Sequence, residues 1–74
     1  MLKVYSKTVC PKCMALKRDL HREGIEFEDI NIEHDEKAMK KIVEAGLSSL
    51  PTVELADETL VSGYEQVLQA LNIG

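Results

Sequence analysis

The stretch "LKVYSKTVCPKCMALKRDLHREG", residues 2–24, leads from a strand pattern directly into a helix pattern through a Cys-x-x-Cys pair. Apolar and polar side chains alternate in residues 2–6, which predicts a β-strand. Pro11 suits the first position of a helix, because its missing N–H would have had no intrahelical partner there. Gly24 is a typical residue just beyond a helix end. We therefore predict a helix over residues 10–24.

The rest of the chain continues the alternation of strands and helices. We predict a strand over 25–32, a helix over 34–46, strands over 51–55 and 59–61, and a helix over 64–73. The order β-α-β-α-β-β-α predicts the α/β class, with a four-stranded mixed sheet flanked by three helices on both faces. The first β-α-β unit should be a right-handed parallel crossover, and the last two strands an antiparallel hairpin.

Local details of the second half are also predicted. The strand pattern changes phase near Asp29, which indicates an irregularity, and Asp35 or His34 should cap the second helix. Ser48 and Ser49 should form a turn before the third strand. The inner stripe of the second helix is predicted to consist of Met39, Ile42 and Val43.

Length and composition limit the class of protein. The chain has 74 residues, of which 45% are apolar and 30% charged, so we predict one globular domain over residues 1–74 that acts as a monomer. No apolar run reaches the roughly 18 residues of a membrane span, and no secretory signal is visible. We expect a cytoplasmic protein, in which a cysteine pair is more often catalytic or metal-binding than structural. The net charge of −4 argues against a nucleic-acid partner.

The charges are distributed unevenly along the chain. Residues 1–18 contain five basic side chains and no acidic one, whereas residues 19–36 contain eight acidic side chains and one basic. Lys7, Lys12 and Lys17 are close to the cysteines in sequence, and positive potential favours a thiolate over a thiol. The alternative is a chance asymmetry on a solvated surface.

The two cysteines are suited to disulfide exchange. Cys10 falls at the N-cap of the predicted helix, where unpaired N–H groups of the first turn stabilise a thiolate and lower its pKa. Cys13 lies three residues into the helix and should be more buried. We predict that Cys10 attacks a substrate disulfide and that Cys13 then attacks Cys10 to release the reduced product. A bridge across so short a loop removes little chain entropy, which argues against a stabilising role.

Metal binding and an inert apolar pair are the alternatives. A Cys-x-x-Cys pair also occurs in heavy-metal-associated domains, where two thiolates hold Cu(I). Those chains run β-α-β-β-α-β, whereas residues 34–46 predict a helix where their hairpin would be. A closed zinc site needs four ligands, and His21 and His34 are the only histidines available.

Four segments resemble the thioredoxin-fold glutaredoxins and, within them, the NrdH-redoxins. They are "VYSKTVCPKC" at 4–13, "GIEFEDINIE" at 24–33, "EAGLSSLPTVEL" at 44–55 and "SGYEQVLQAL" at 62–71. The resemblance implies a thiol-disulfide oxidoreductase that acts as a protein-disulfide reductase or redox carrier. It also implies that no bound cofactor is needed. It implies NADPH-dependent thioredoxin reductase as electron donor and protein disulfides, including that of a ribonucleotide reductase, as acceptors.

The resemblance also implies the layout of the site. Pro51 would follow a cis peptide bond and face the dithiol, and the Leu50 backbone would pair with an extended substrate. The implied active-site loop and substrate groove consist of Lys7, Thr8, Pro11, Lys12, Leu50, Pro51, Thr52, Ser62, Gly63 and Tyr64.

Two departures from glutathione-using glutaredoxins favour the NrdH-redoxin group. Lys12 stands between the cysteines where those proteins usually have an aromatic residue, and "SGYEQ" at 62–66 replaces their Gly-Gly-x-Asp segment. Glu65 is the only candidate there to replace the glutathione-holding Asp. A glutathione-dependent glutaredoxin stays as the alternative function.

Overall fold

The computed structural model describes residues 1–46 and 49–73, so the turn predicted at Ser48 lies outside the described residues. The elements are β1 Leu2–Ser6, α1 Pro11–Arg22, β2 Phe27–Asn31, a 3-10 helix Ile32–His34, α2 Glu36–Glu44, β3 Thr52–Glu54, β4 Leu60–Ser62 and α3 Tyr64–Leu71. Their order is the predicted β-α-β-α-β-β-α.

The strands form one mixed four-stranded sheet in the order β2-β1-β3-β4. The central strand β1 is parallel to β2, with Leu2 opposite Phe27 and Ser6 opposite Asn31. It is antiparallel to β3, where Tyr5 faces Thr52. Strands β3 and β4 are antiparallel as well, which confirms the predicted hairpin.

Helices cover both faces of this sheet. Successive side chains of a strand point to opposite faces, so Val4 and Tyr5 of β1 enter two different clusters. One cluster, under α1 and α3, contains the fully buried side chains of Val4, Leu16, Leu20, Val53 and Val67. The other cluster, under α2, is built from Tyr5, Ile32, Ala38 and Ile42.

The predicted inner stripe of α2 is wrong at two of its three positions. Ile42 is buried together with Ala38, but Met39 is 39% exposed and Val43 is 64% exposed. The reason is a buried carboxylate on the sheet below the helix. Lys41 forms an ion pair with Glu54 of β3, which turns the side of α2 that carries Ala38, Lys41 and Ile42 toward the sheet.

Glu54 is a buried charge that the sequence analysis did not single out. Its Oε1 accepts a hydrogen bond of 2.9 Å from the Tyr5 hydroxyl, 49 residues away in sequence, in addition to the Lys41 ammonium. The hydrogen bond from Lys41 is the main reason why the pKa of Glu54 lies below its ordinary value. A buried carboxylate needs such partners, because an unpaired one is costly.

The irregularity predicted near Asp29 is wrong, because β2 pairs with β1 in unbroken register. The chain departs from the strand only after Asn31, in the 3-10 helix Ile32–His34. Asp35 caps α2 by accepting a hydrogen bond of 3.1 Å from the backbone N–H of Ala38, which decides between the two predicted capping residues.

We expect Lys41→Met to lower the free energy of unfolding, because it leaves the buried Glu54 carboxylate with the Tyr5 hydroxyl as its one donor. In the native protein the pKa of Glu54 is below its ordinary value of 4.5. Its contribution is therefore complete above that pH and is lost as the pH falls through the folded-state pKa. As the pH falls, the free energy of unfolding of the Lys41→Met variant should therefore decrease less than that of the native protein. Urea unfolding over a pH series measures both effects.

Lys40→Met is the matched control. Lys40 pairs with Glu44 at 3.7 Å, and both side chains are largely exposed, so its removal should change the free energy of unfolding by less than about 0.5 kcal/mol. Equal losses in the two variants would contradict the importance of the Glu54 pair.

Candidate active site: the dithiol at the start of α1

Cys10 occupies the N-cap of α1, as predicted, and Pro11 is the first residue of the helix. The backbone of Cys10 is extended, with φ −150° and ψ 93°, so the side chain bends back over the first turn. Its Sγ accepts a hydrogen bond of 3.2 Å from the backbone N–H of Cys13. An N–H donor at a helix N-terminus stabilises a thiolate.

The two cysteines form a disulfide in this structure, and their Cα atoms are 5.2 Å apart. Cys10 is 6% exposed and Cys13 is 1% exposed. The sulfur nearer to solvent therefore belongs to Cys10, at the end of the loop, while Cys13 lies beneath it against the core. This difference supports the predicted order of attack, which stays a prediction.

The loop before β3 meets the dithiol. The Leu50–Pro51 peptide bond is cis, as the resemblance implies, and Pro51 is buried. A cavity of about 360 Å³ opens beside the disulfide, and we call it the dithiol cleft. Its lining residues are Lys7, Val9, Cys10, Pro11, Lys12 and Leu50. Five of these were predicted, and Val9 was missed, although an apolar residue in a polar loop is a usable signal.

A second cavity of about 420 Å³ adjoins the dithiol cleft at Lys12 and Leu50, and we call it the Gly63 cavity. It is lined by Lys12, Ser49, Leu50, Gly63, Tyr64, Glu65 and Gln66. Gly63 has a φ of +97°. Residues with a Cβ rarely adopt this backbone conformation, so a substitution at Gly63 would be strained.

Thr52 and Ser62, both predicted for the groove, lie behind its wall and line neither cavity. The Ser62 hydroxyl donates a hydrogen bond of 2.6 Å to the Ser49 carbonyl oxygen. The buried Thr52 hydroxyl lies 2.9 Å from that oxygen and 3.1 Å from Ser62 Oγ. The backbone N–H of Gly63 donates to the Pro51 carbonyl oxygen at 3.0 Å. These bonds support the loop that contains the cis Leu50–Pro51 bond, which we call the proline loop.

Tyr64 connects the groove wall to the helix that carries the cysteines. Its hydroxyl donates a hydrogen bond of 2.5 Å to Asp19 Oδ2 of α1, 45 residues away in sequence. Asp19 also accepts a bond of 2.7 Å from Arg22. The bond to Asp19 raises the pKa of Tyr64, because a phenolate would face a carboxylate. The role of Asp19 was missed, since no local pattern links it to Tyr64.

The loop before Cys10 is held by a group that we call the Thr8 clasp, made of Thr8, Asn31 and Glu33. The backbone N–H of Thr8 donates to Glu33 Oε1 at 2.6 Å, and Asn31 Nδ2 donates to the Thr8 hydroxyl at 3.2 Å. Asn31 Oδ1 accepts from the Glu33 backbone N–H at 2.9 Å. The bond from Thr8 is the main reason why the pKa of Glu33 lies below its ordinary value.

Two negative findings apply to the described residues. Within 1–46 and 49–73, no three or more His, Cys, Asp or Glu side chains are grouped in a way that suits a metal ion. In the same part of the chain, no helix is long and apolar enough to cross a membrane.

We expect Glu33→Ala to loosen the loop that carries Cys10, because Thr8 loses the acceptor of its N–H. Amide exchange at Thr8 should be faster by roughly three- to tenfold, and disulfide exchange at Cys10 should be slower. Glu33→Gln should be intermediate, since its side-chain carbonyl still accepts a hydrogen bond. Hydrogen exchange followed by NMR measures the first effect, and single-turnover reduction of a small disulfide the second.

Glu36→Ala provides the control for this test. The Glu36→Ala substitution removes the same charge three residues further along the chain. Glu36 lies in the first turn of α2 and is not part of the Thr8 clasp. Faster exchange at Thr8 in this variant would show that the loop responds to charge and not to the Thr8 clasp.

Three comparisons with known proteins agree with this geometry. The family model described as Glutaredoxin matches residues 2–61. The glutaredoxin-like protein NrdH of Lactococcus lactis is 33% identical over 64 residues, which cover 86% of this chain and 88% of that protein.

Solved structures show the same likeness. NrdH-redoxin from Escherichia coli, described as glutaredoxin-like with a thioredoxin-like activity profile, matches with a TM-score of 0.81 at 28% identity. The match covers 95% of this chain and 92% of that one. The crystal structure of a thioredoxin-like protein matches with a TM-score of 0.82 at 25% identity over 97% of each chain.

Proposed function

Because this chain belongs to the glutaredoxin family, we propose that it is a small dithiol electron carrier that reduces protein disulfides through Cys10 and Cys13. One observation carries the proposal. The Cys10–Cys13 disulfide lies at the N-terminus of α1, and Cys10 lines a cleft together with Leu50 of the cis-proline loop. This arrangement presents one sulfur of a reversible disulfide to an extended partner.

The reaction has two exchange steps. In the reduced protein the Cys10 thiolate attacks one sulfur of the substrate disulfide, whose S–S bond breaks, and the departing thiolate takes up a proton. The product is a mixed disulfide between Cys10 and the substrate. Cys13 then loses its proton and attacks Cys10 Sγ, and the second substrate sulfur leaves as a thiol. Two electrons have moved to the substrate, and the protein ends with the Cys10–Cys13 bond.

The local geometry supports different roles for the two sulfurs. The N–H of Cys13, 3.2 Å from Cys10 Sγ, and the N-terminal end of α1 stabilise negative charge on Cys10 as thiolate and as leaving group. Cys13 is almost fully buried, so a partner disulfide meets Cys10 first. Cys13 then reacts with the neighbouring Cys10 sulfur of the mixed disulfide.

NADPH, acting through thioredoxin reductase, is the proposed source of electrons, and a ribonucleotide reductase is among the proposed acceptors. The NrdH relatives support this choice. Two departures of the site from glutathione-using glutaredoxins support it as well. Lys12 stands between the cysteines where those proteins usually have an aromatic residue, and residues 62–66 lack their Gly-Gly-x-Asp segment. We place the cycle in the cytoplasm, because a reducing compartment returns the dithiol to its active form.

The alternative is a glutathione-dependent glutaredoxin. Lys12 lines both cavities and is exposed, so it offers a cation to a carboxylate. Because residues 62–66 lack the Gly-Gly-x-Asp segment of glutathione-using glutaredoxins, thioredoxin reductase stays the preferred donor.

Variants at the two cysteines separate their roles. Cys13→Ser should accumulate a mixed disulfide through Cys10, because nothing resolves it, whereas Cys10→Ser should form none. Mass spectrometry under non-reducing conditions after incubation with a cystine-containing peptide measures the adduct. A trap that forms through Cys13 would reverse the assignment.

Two coupled assays decide the electron donor. With the oxidised protein, NADPH should be consumed in the presence of thioredoxin reductase and at less than about one tenth of that rate with glutathione and glutathione reductase. This expectation follows from Lys12 in place of the aromatic residue and from the missing Gly-Gly-x-Asp segment at 62–66. Consumption with glutathione alone would establish the ordinary glutaredoxin function instead.

A further inference from the structure

The charges beside the attacking sulfur are of one sign. Among the residues that line the dithiol cleft, Lys7 and Lys12 are the only charged ones, and they stand on opposite sides of Cys10 in sequence. Both lysines are exposed. The ion pairs found among residues 1–46 and 49–73 do not include either of them. Neither ammonium group is thus held in an ion pair within this part of the chain.

Two exposed apolar side chains lie next to the cysteines in sequence. Val9, next to Cys10, is 78% exposed, and Met14, one turn into α1, is 67% exposed. Arg18 follows Met14 by four residues and therefore lies on the same side of α1. The surface around the disulfide is thus an apolar centre with a basic rim, which is the arrangement of a docking surface.

Two carboxylates lie near this rim, and neither forms an ion pair with Lys7 or Lys12 in the described part of the chain. Glu33 is close enough to Lys7 for an electrostatic effect, but its Oε1 accepts the backbone N–H of Thr8 in the Thr8 clasp. Glu65 lines the Gly63 cavity together with Lys12 and does not line the dithiol cleft. Lys17, the remaining basic residue near the cysteines, forms an ion pair of 2.9 Å with Asp29 and is not counted in the rim.

We propose that the dithiol cleft docks an acidic, cystine-bearing protein segment, with Asp or Glu on both sides of its cysteine and an apolar residue that covers Val9. This inference rests on the proposed function and adds the chemistry of the partner. The chain as a whole carries a net charge of −4 and repels an acidic partner over most of its surface. Attraction confined to the rim of the dithiol cleft orients the substrate disulfide toward Cys10.

The test compares three symmetric peptide disulfides. Each is the dimer of a blocked tetrapeptide X-Cys-Leu-X, in which X is Asp, Asn or Lys. Single-turnover reduction by the reduced protein is followed by quenching and chromatography. Each rate is divided by the rate at which neutral dithiothreitol reduces the same peptide, which removes the effect of the charges on the peptide sulfur itself.

The normalised rate should be about tenfold higher for the Asp peptide than for the Lys peptide at low salt, with the Asn peptide between them. In about 1 M NaCl the ratio should fall to about two or less, because the charges are screened. Equal normalised rates for the Asp and Lys peptides at low salt, or a higher rate for the Lys peptide, would overturn the proposal.

Variants locate the preference on the protein. Lys7→Gln combined with Lys12→Gln should reduce the Asp-to-Lys ratio to about two or less. The matched control removes two lysines from α2, in Lys37→Gln combined with Lys40→Gln, and should keep the tenfold ratio. A ratio that falls equally in both would assign the preference to net charge and overturn a docking surface at the cleft.

A neutral substrate keeps this test separate from the proposed function. The reduced protein should reduce bis(2-hydroxyethyl) disulfide, and Cys10→Ser should not. Reduction of this neutral disulfide without discrimination among the peptides would overturn the docking proposal alone. Absence of reduction with every disulfide would overturn the proposed function and the docking proposal with it.

Discussion

The position of β1 is the constraint on which the site depends. This strand is central, parallel to β2 on one side and antiparallel to β3 on the other. The parallel pairing places the end of β2 beside the end of β1, and the antiparallel pairing places the beginning of β3 there. Three separate segments therefore meet at one edge of the sheet. They are the loop to Cys10, the turn at Asn31 and the proline loop.

Polar bonds between these segments then hold the site in shape. The Thr8 clasp joins the loop before Cys10 to the turn after β2. The bond from Tyr64 to Asp19 joins the start of α3 to α1. The hydroxyl of Ser62 supports the loop before Pro51 through the Ser49 carbonyl oxygen. Each tie fixes a different wall, which is what a site needs when a partner must present a disulfide at a defined distance from one sulfur.

The proposed chemistry follows from the positions of Cys10 and Cys13 relative to these bonded segments. Cys10 is at a helix N-terminus and at the bottom of a cleft, whereas Cys13 is packed against the core. In the proposed cycle Cys10 is therefore the attacking sulfur, and Cys13, which lies deeper, reacts after it. The exposed lysines around the cleft act on the approach of a partner. The ion pair of Lys41 with the buried Glu54, under α2, acts on stability.

The sequence by itself determined the features that depend on neighbours along the chain. The helix start at Cys10-Pro11 and the order of strands and helices are local patterns, because caps and periodicities involve residues a few positions apart. For the cap of α2 the sequence left Asp35 and His34 open, and the structure selected Asp35. The family resemblance added the cis bond before Pro51. Only the tertiary structure decided the contacts between residues far apart in sequence. The orientation of α2 depends on the Lys41–Glu54 pair, and the partners of Thr8 and Tyr64 are 25 and 45 residues away. Such pairs leave no periodic signal, since each arises only when strand pairing brings two segments to the same edge of the sheet.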